Sequence, residues 1–361
     1  MSPGAQLGPR FLSIDALRGV TVAAMLLVNN AGDWGHVYWW LEHATWHGTT
    51  PADFIFPIFL VIVGVSLHLA MTPKLERGVQ ASELVSGIVW RACKIFALGV
   101  VLHLIAVALI PGREFRLLGV LQRIGICFLM AGMVMIYIRS LRLQWLIIIA
   151  MLLVYWALLA STGSYLPHLN LADQVDTSLL GQLAYSYDPK TGLAQEPEGI
   201  LSTMPAVVSV LLGLQAGVFL KQGKTQRLWQ LGIPMIGFAL LWSTVLPLNK
   251  SLWTSSFVLW TTGFAFLLIW LMHRLIDIAK YPAFGLSFGV NAIAAYAGSW
   301  IATCVLAATG LMDLVYANFF TQFLSPIVGP YMSSFLFALL FTGIFAGLMF
   351  MLRRLGWRFS I

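Results

Sequence analysis

Charged residues are scarce in this chain. Only 10% of its 361 residues are Asp, Glu, Lys or Arg, whereas 59% are hydrophobic and the mean hydropathy is +0.85. Soluble domains carry about 25% charged residues, so a soluble fold is excluded. The repeated apolar runs are long enough to cross a hydrocarbon core of roughly 30 Å. We therefore expect an all-α, polytopic membrane protein in which residues 1–361 form a single transmembrane domain.

Cysteine is also rare. Cys93, Cys127 and Cys304 stand singly in apolar segments. This spacing gives neither a disulfide framework nor a metal-binding signature, so we interpret them as small apolar side chains. A cleavable signal peptide is not indicated, because Asp15 and Arg18 interrupt the first apolar segment. We expect the first helix to be retained.

Ten apolar segments predict about ten membrane-spanning helices. They are residues 12–31, 53–71, 84–110, 117–138, 144–160, 201–220, 228–247, 253–273, 284–308 and 331–352. A further apolar stretch, 312–324, is too short for another span and predicts an interfacial or re-entrant piece.

The basic residues divide unevenly between the two sets of loops. One set holds thirteen Lys and Arg residues and the other holds four. Those four are Arg113, Arg116, Lys190 and Lys250. Because cytoplasmic loops carry the basic excess, both termini are predicted to be cytoplasmic, and loops 29–52 and 161–200 to face outside. The net charge of +7 then reflects topology and attraction to anionic lipid, and no nucleic-acid partner is expected.

Four basic residues lie inside predicted spans, where an isolated charge is costly. They are Arg18, Arg91, Lys94 and Arg123. Asp15 precedes Arg18 by three residues, which suits a helical ion pair. For the other three, two interpretations stay open: snorkelling to the interface or bonding to backbone carbonyls, or binding of an anionic ligand that enters from the cytoplasm.

Residues 29–57, NNAGDWGHVYWWLEHATWHGTTPADFIFP, are rich in reactive side chains. They include three histidines and four tryptophans, and no Lys or Arg. In such an aromatic, partly desolvated setting, His43 is suited to act as a general base. His36, His47 and Asp53 match no compact metal-ligand spacing, so no metal is expected.

Two polar pairs flank the predicted spans. Asn29 and Asn30 end the first one; helix capping accounts for one of them, and the other is then free to stabilise a developing oxyanion. Glu196 and Glu198 close loop 161–200 just before the sixth span, where helix capping explains much of their presence.

Seven motifs run in order along almost the whole chain. They are SIDALRG (13–19), VNN (28–30), EHATWHGTTPADFIFPIFLVIVGVS (42–66), LLGVLQRIG (117–125), EPEGILSTMP (196–205), LNKSLWTSS (248–256) and FGVNAIAAY (288–296). Together they resemble the heparan-α-glucosaminide N-acetyltransferase family, and within it the bacterial members that lack the large lumenal N-terminal domain. The resemblance implies a homodimeric enzyme of the bacterial inner membrane that moves acetyl from cytoplasmic acetyl-CoA to the amine of glucosamine, or of a short amino-sugar oligosaccharide, at the outer side.

The resemblance also implies roles for particular residues. The family's active-site histidine falls on His43, as general base or acetyl acceptor, and its catalytic asparagine falls on Asn29. We expect Asp53 to orient His43 or to bind the substrate ammonium. The expected acetyl-CoA-binding residues are Arg18, Arg91, Lys94 and Arg123. The expected acceptor-binding residues are Asn30, Trp46, His47 and Glu198.

Two other functions stay open. Ten spans with internal Gly, Pro and charged residues also suit a transporter of amino sugars, which would leave its substrate chemically unchanged. An O-acyltransferase that modifies a surface polysaccharide would share the use of acetyl-CoA and differ in its acceptor.

Overall fold

In the computed structural model, which describes residues 11–359, the apolar segments form α-helices, as predicted. The helices are α1 (Leu12–Asn29), α2 (Ile55–Glu76), α3 (Ala81–Leu109), α4 (Val120–Tyr137), α5 (Leu141–Ala160), α6 (Leu171–Leu179), α7 (Thr203–Lys221), α8 (Gln226–Trp242), α9 (Ser255–Met272), α10 (Leu286–Val290), α11 (Ala292–Ala308), α12 (Leu311–Val315), α13 (Ser325–Val328) and α14 (Pro330–Arg354). Short 3₁₀ turns occupy Pro51–Phe54 and Gly181–Leu183, and π-helical stretches occupy His273–Ile278 and Tyr316–Leu324. Arg10, one of the thirteen basic loop residues, lies outside the described part of the chain.

A small antiparallel hairpin is the exception to the helical fold in this part of the chain. Its strands are β1 (Ser186–Asp188) and β2 (Leu193–Gln195), with Ser186 opposite Gln195. The hairpin lies in the loop between α6 and α7 and packs against α6.

Eight helices within residues 11–359 are long and apolar enough to cross a membrane, and counting one bent pair as a span gives nine. The sequence predicted ten. Segment 228–247 forms α8, which has only 17 residues. Segment 284–308 is divided into α10 and α11 at Asn291, whose side chain binds the backbone of Trp357 and Phe359. The backbone of Asn291 has φ −118° and ψ 37°, which is not helical, so the helix is interrupted at this residue.

The bent pair contains the short apolar stretch 312–324. Here α11 and the following stretch, Leu311–Val328, meet at 81°. This geometry is that of a broken span or a re-entrant segment, and it agrees with the prediction that this stretch does not form a separate span.

Helix α7 forms the centre of the bundle. It packs against α2, α4, α5 and α9, and 94% of the residues in its apolar window are buried. Its contact with α2 is made by two glycines: a Cβ on Gly64 would lie 2.0 Å from the Val210 carbonyl oxygen, and one on Gly213 would lie 2.1 Å from the Val61 carbonyl oxygen. Small residues allow such close backbone packing between membrane helices.

The loops predicted to face outside meet at one end of the bundle. The Gly48 N–H donates to the Leu248 carbonyl at 2.8 Å, and Trp46 Nε1 donates to the Tyr165 carbonyl at 2.8 Å. These bonds join the α1–α2 loop to the α8–α9 and α5–α6 loops. That this end faces outside stays a prediction.

Candidate active site

A cavity of about 550 Å³ lies at this end of the bundle, where α1 ends and α2 begins. We call it the site cavity. Its charged and amide lining comprises Asn29, Asn30, His43, Arg113, Arg116, Glu198 and Lys250. Its aromatic lining comprises Trp34, Trp46, Phe56, Tyr185, Trp253, Tyr296 and Trp300. Deep clefts with apolar walls and a few convergent polar groups are typical of small-molecule sites.

Asp53 connects the start of α2 to the loop that carries His43. Thr50 and Asp53 form a capping box around the 3₁₀ turn, and Pro51 occupies its first position. Asp53 Oδ2 accepts the N–H of Thr50 at 3.0 Å and that of Ala44 at 3.1 Å. The carboxylate is fully buried, so it holds the backbone on both sides of this turn in one arrangement.

His43 lies between this carboxylate and the open cavity. Its Nδ1 is 2.8 Å from Asp53 Oδ1, and its side chain is 47% exposed. Oδ1 accepts no hydrogen bond of regular geometry, and its close contacts are His43 Nδ1 and Lys250 Nζ. A half-exposed imidazole beside a buried carboxylate has the arrangement of a general base with its orienting group.

Lys250 completes this group, and sequence reasoning missed it. Its Nζ lies 3.0 Å from His43 Nδ1, 3.1 Å from His43 Nε2 and 3.4 Å from Asp53 Oδ1. Burial lowers the pKa of Lys250, against the opposite effect of the Asp53 and Glu198 carboxylates. Two signals pointed to it: it is one of four basic residues in the sparsely basic loops, and it stands in LNKSLWTSS.

The loop around Lys250 is fixed by buried hydrogen bonds. Asn249 Oδ1 accepts the Leu252 N–H at 2.8 Å, and Thr254 Oγ1 donates to the Pro247 carbonyl at 2.8 Å. His47, predicted to bind the acceptor, is exposed beside this loop and is not among the residues that line the site cavity; its Nδ1 lies 3.4 Å from Asn249 Nδ2. Partial desolvation lowers the pKa of His47.

Asn29 and Asn30 differ in what their side chains contact at the end of α1. Asn30 is buried; its Nδ2 donates to the Leu26 carbonyl at 2.7 Å, and its Oδ1 accepts from Thr303 Oγ1 at 2.7 Å. Its amide is thus satisfied at the end of α1. Asn29 is exposed to the site cavity, and its amide binds no other residue within 11–359. Asn29 is therefore the one available to a ligand.

Arg116 binds the two glutamates that precede α7. It donates from Nε and from one terminal nitrogen to Glu196, at 3.0 and 2.5 Å, and the same terminal nitrogen pairs with Glu198. The expected capping role is wrong, because α7 begins at Thr203 with no side-chain cap bond. Burial opposes the charge on Glu198, but Arg116 outweighs it and holds the pKa of Glu198 below its ordinary value.

None of the four predicted acetyl-CoA-binding cations is among the residues that line the site cavity. Arg18 binds Asp15 at 3.1 Å, as predicted, and donates to Ser66 Oγ at 2.7 Å. Arg91 lies over the Phe128 ring at 5.2 Å and within electrostatic reach of Arg18. These contacts lie at the level of the bundle away from the site cavity.

The remaining two cations differ in position. Lys94 lies on α3 with its Nζ 5.9 Å from the Trp90 ring centre. Arg123 is buried at the opposite end, beside the site, where it donates to the Gly199 carbonyl at 3.2 Å and to Ser202 Oγ at 2.5 Å. Arg123 therefore supports the loop that carries Glu198 and does not join the other cations.

Comparison with known proteins agrees with this architecture. Residues 10–245 match the family described as heparan-alpha-glucosaminide N-acetyltransferase, catalytic. The chain is 28% identical to the mouse heparan-alpha-glucosaminide N-acetyltransferase over 352 residues, and 29% identical to the human one over 355 residues. These alignments cover 80% and 81% of this chain and 53% of each relative, so the chain spans about half the length of the curated relatives it matches. Because the matched family segment covers more than half of the chain, the chain belongs to the heparan-alpha-glucosaminide N-acetyltransferase family.

Proposed function

We propose that this protein transfers acetyl from acetyl-CoA to the amine of glucosamine or of a short amino-sugar oligosaccharide. The family is one of acetyl-CoA-dependent membrane N-acetyltransferases. The observation that carries the proposal is the position of His43, which faces a 550 Å³ cavity while a buried carboxylate and a lysine contact its ring. By resemblance alone, the proposal places the protein as a homodimer in a bacterial inner membrane.

His43 acts as the general base in this mechanism. Its unprotonated nitrogen takes a proton from the acceptor amine while the amine nitrogen attacks the thioester carbonyl. The carbon–sulfur bond then breaks, and CoA leaves as the thiolate. Asn29, whose amide is free and faces the cavity, donates to the oxyanion of the tetrahedral intermediate. In a two-step variant, His43 first accepts the acetyl group and then passes it to the amine.

The donor enters from the side opposite the site cavity. Arg18, Arg91 and Lys94 supply positive charge for its phosphates at that level of the bundle. Met25 is the innermost cavity residue on α1, and it lies seven positions from Arg18. That spacing is about 10 Å along a helix, a distance that an extended pantetheine arm covers. The thioester then reaches His43 while the phosphates stay on the cations.

The acceptor enters through the open mouth of the site cavity. Trp34 and Tyr185 are 63% and 58% exposed there and offer flat aromatic faces to a sugar ring. Trp46 lines the cavity wall, and Glu198, which also pairs with Arg116, offers a carboxylate oxygen to a sugar hydroxyl. Asn30 is left out of this set, since both ends of its amide are already bound.

The decisive experiment uses purified protein in nanodiscs with acetyl-labelled acetyl-CoA and glucosamine. We expect labelled N-acetylglucosamine from the wild type and a loss of at least about 100-fold in His43→Ala. His36→Ala is the matched control, because His36 lies in the same loop, contacts Asp33 at 2.7 Å and does not line the site cavity. Equal product from wild type and His43→Ala would remove His43 from the mechanism.

The same assay separates the alternatives. Label on hydroxyl groups of a polysaccharide, with none on glucosamine, would indicate O-acyl transfer. Uptake of unchanged glucosamine into proteoliposomes, without acetyl-CoA binding, would indicate a transporter and overturn the proposal.

A further inference from the structure

Lys250 contacts the proposed general base, His43, at two atoms and the neighbouring Asp53 carboxylate at one. Its Nζ lies 3.0 and 3.1 Å from the two nitrogens of His43 and 3.4 Å from Asp53 Oδ1. Its side chain is only 21% exposed and stands on a loop fixed by the buried Asn249. The family match ends at residue 245, so it assigns Lys250 no role.

The number of protons in this group is limited. A lysine ammonium has three donors and no acceptor, and an imidazolium donates from both nitrogens. Because Nδ1 lies 2.8 Å from the Asp53 carboxylate, it is the nitrogen that carries the N–H, and Lys250 can donate a hydrogen bond only to an unprotonated Nε2, at 3.1 Å. The single carboxylate of Asp53 balances the positive charge of Lys250, so a second positive charge, on His43, is disfavoured.

The other charged groups around the site cavity do not reverse this balance. The titratable and charged groups that line it besides His43 and Lys250 are Arg113, Arg116, Tyr185, Glu198, Tyr296 and Cys304. Glu196 and Glu198 share Arg116, and Arg113 supplies a second positive charge, so the positive and negative charges of these four groups are equal in number. Asp53 at the start of α2 is thus the one anion in direct contact with His43 among residues 11–359.

We infer that Lys250 is a positioning residue that keeps Nε2 of His43 unprotonated until the acceptor amine displaces the ammonium from this nitrogen. Asp53 anchors the loop and the ammonium, and Lys250 prevents His43 from taking a proton before the acceptor arrives. The inference rests on the proposed role of His43 as the base, but the contact it describes is present without substrate.

The test measures unprotonated His43 directly. Diethyl pyrocarbonate reacts with unprotonated imidazole, and mass spectrometry of the peptide that contains His43 follows its labelling from pH 5 to pH 9 in nanodiscs. In Lys250→Met we expect half-maximal labelling of His43 to move upward by about one pH unit. Lys250→Arg keeps the charge and leaves the midpoint in place. Lys190→Met, a change at an exposed lysine on the hairpin turn, is the matched control.

His36 serves as the internal reference in every sample. A His43 midpoint that stays in place or moves downward in Lys250→Met would overturn the inference, as would an equal shift in Lys190→Met. If Lys250→Met does not fold, Lys250→Gln tests the same shift. The labelling needs no turnover, so a shifted midpoint in a protein that transfers no acetyl would overturn the proposed function alone.

Discussion

Replacement of Asp53 by asparagine tests the chemistry of the site most directly. The Asp53 carboxylate accepts backbone N–H groups with Oδ2 and presents Oδ1 to His43 and Lys250. An asparagine has one acceptor oxygen in place of two. If that oxygen keeps the N–H groups of Ala44 and Thr50, the new NH₂ group points a donor at the cation of Lys250.

The size of the effect follows from burial. Asp53 is fully buried, so loss of its charge leaves Lys250 without its contacting anion. Removal of one partner from a fully buried ion pair costs about 3–5 kcal/mol. Because Lys250 keeps some access to water, we expect a loss of about 2–3 kcal/mol in the free energy of unfolding. We expect kcat/KM to fall by at least about 100-fold, since the base loses its orienting group.

The assay compares Asp53→Asn with Asp33→Asn. Asp33 makes the same type of contact, 2.7 Å to His36 Nδ1, but the pair is half-exposed and lies outside the site cavity. An exposed pair of this kind contributes about 1 kcal/mol or less. Acetyl transfer and thermal unfolding are measured for both variants in nanodiscs. Equal losses in the two variants, or wild-type transfer by Asp53→Asn, would refute the reasoning.

Three further predictions test packing, pH dependence and topology. Gly64→Leu should lower the free energy of unfolding by about 3 kcal/mol or more, because the new leucine side chain would meet the backbone of α7. Gly343→Leu, on the exposed face of α14, is the control and should not lower it; thermal unfolding compares the two variants. Burial raises the pKa of Asp176 to about 7, so the folded state binds more protons than the unfolded state between about pH 4 and 7, and the free energy of unfolding should fall as pH rises. Unfolding measured from pH 5 to 8 should show this fall in the wild type and not in Asp176→Asn. An unchanged slope in the variant would contradict the prediction. A membrane-impermeant maleimide should label Lys190→Cys in intact cells and Lys224→Cys only after permeabilisation, and the reverse pattern would contradict the topology.

The helices could be predicted from the sequence because each apolar run is long enough to satisfy its own backbone within the bilayer. The breaks within these helices could not be predicted from the sequence. At the break between α10 and α11, Asn291 binds the C-terminal residues Trp357 and Phe359, a contact across more than sixty positions of sequence. Glu196 and Glu198 were misread for the same reason: their partner Arg116 is about eighty residues away.

The site was predicted in part. His43, Asn29 and Asp53 stand within 25 residues of one another, so local sequence brought them together. Lys250 follows His43 by 207 positions and reaches it only because the α8–α9 loop binds the α1–α2 loop. Asn30 and His47 have side chains suited to binding a sugar. In the structure, however, the Asn30 amide binds the Leu26 carbonyl, and His47 Nδ1 lies beside Asn249.

The cations Arg18, Arg91 and Lys94 lie apart from the charged group around His43. This separation suits an enzyme whose donor and acceptor enter from opposite sides of the membrane. Asn29 follows Arg18 by eleven residues on α1, which is about 16 Å along the helix. An enzyme whose donor and acceptor entered from the same side would need one cleft for both, whereas here the cations proposed to bind the phosphates and the proposed base occupy different levels of the bundle. The uneven basic loops independently predict that the site cavity faces outside. If Lys190→Cys were labelled only after permeabilisation, the cavity would face the cytoplasm, and the donor would have no reason to reach His43 from the cations.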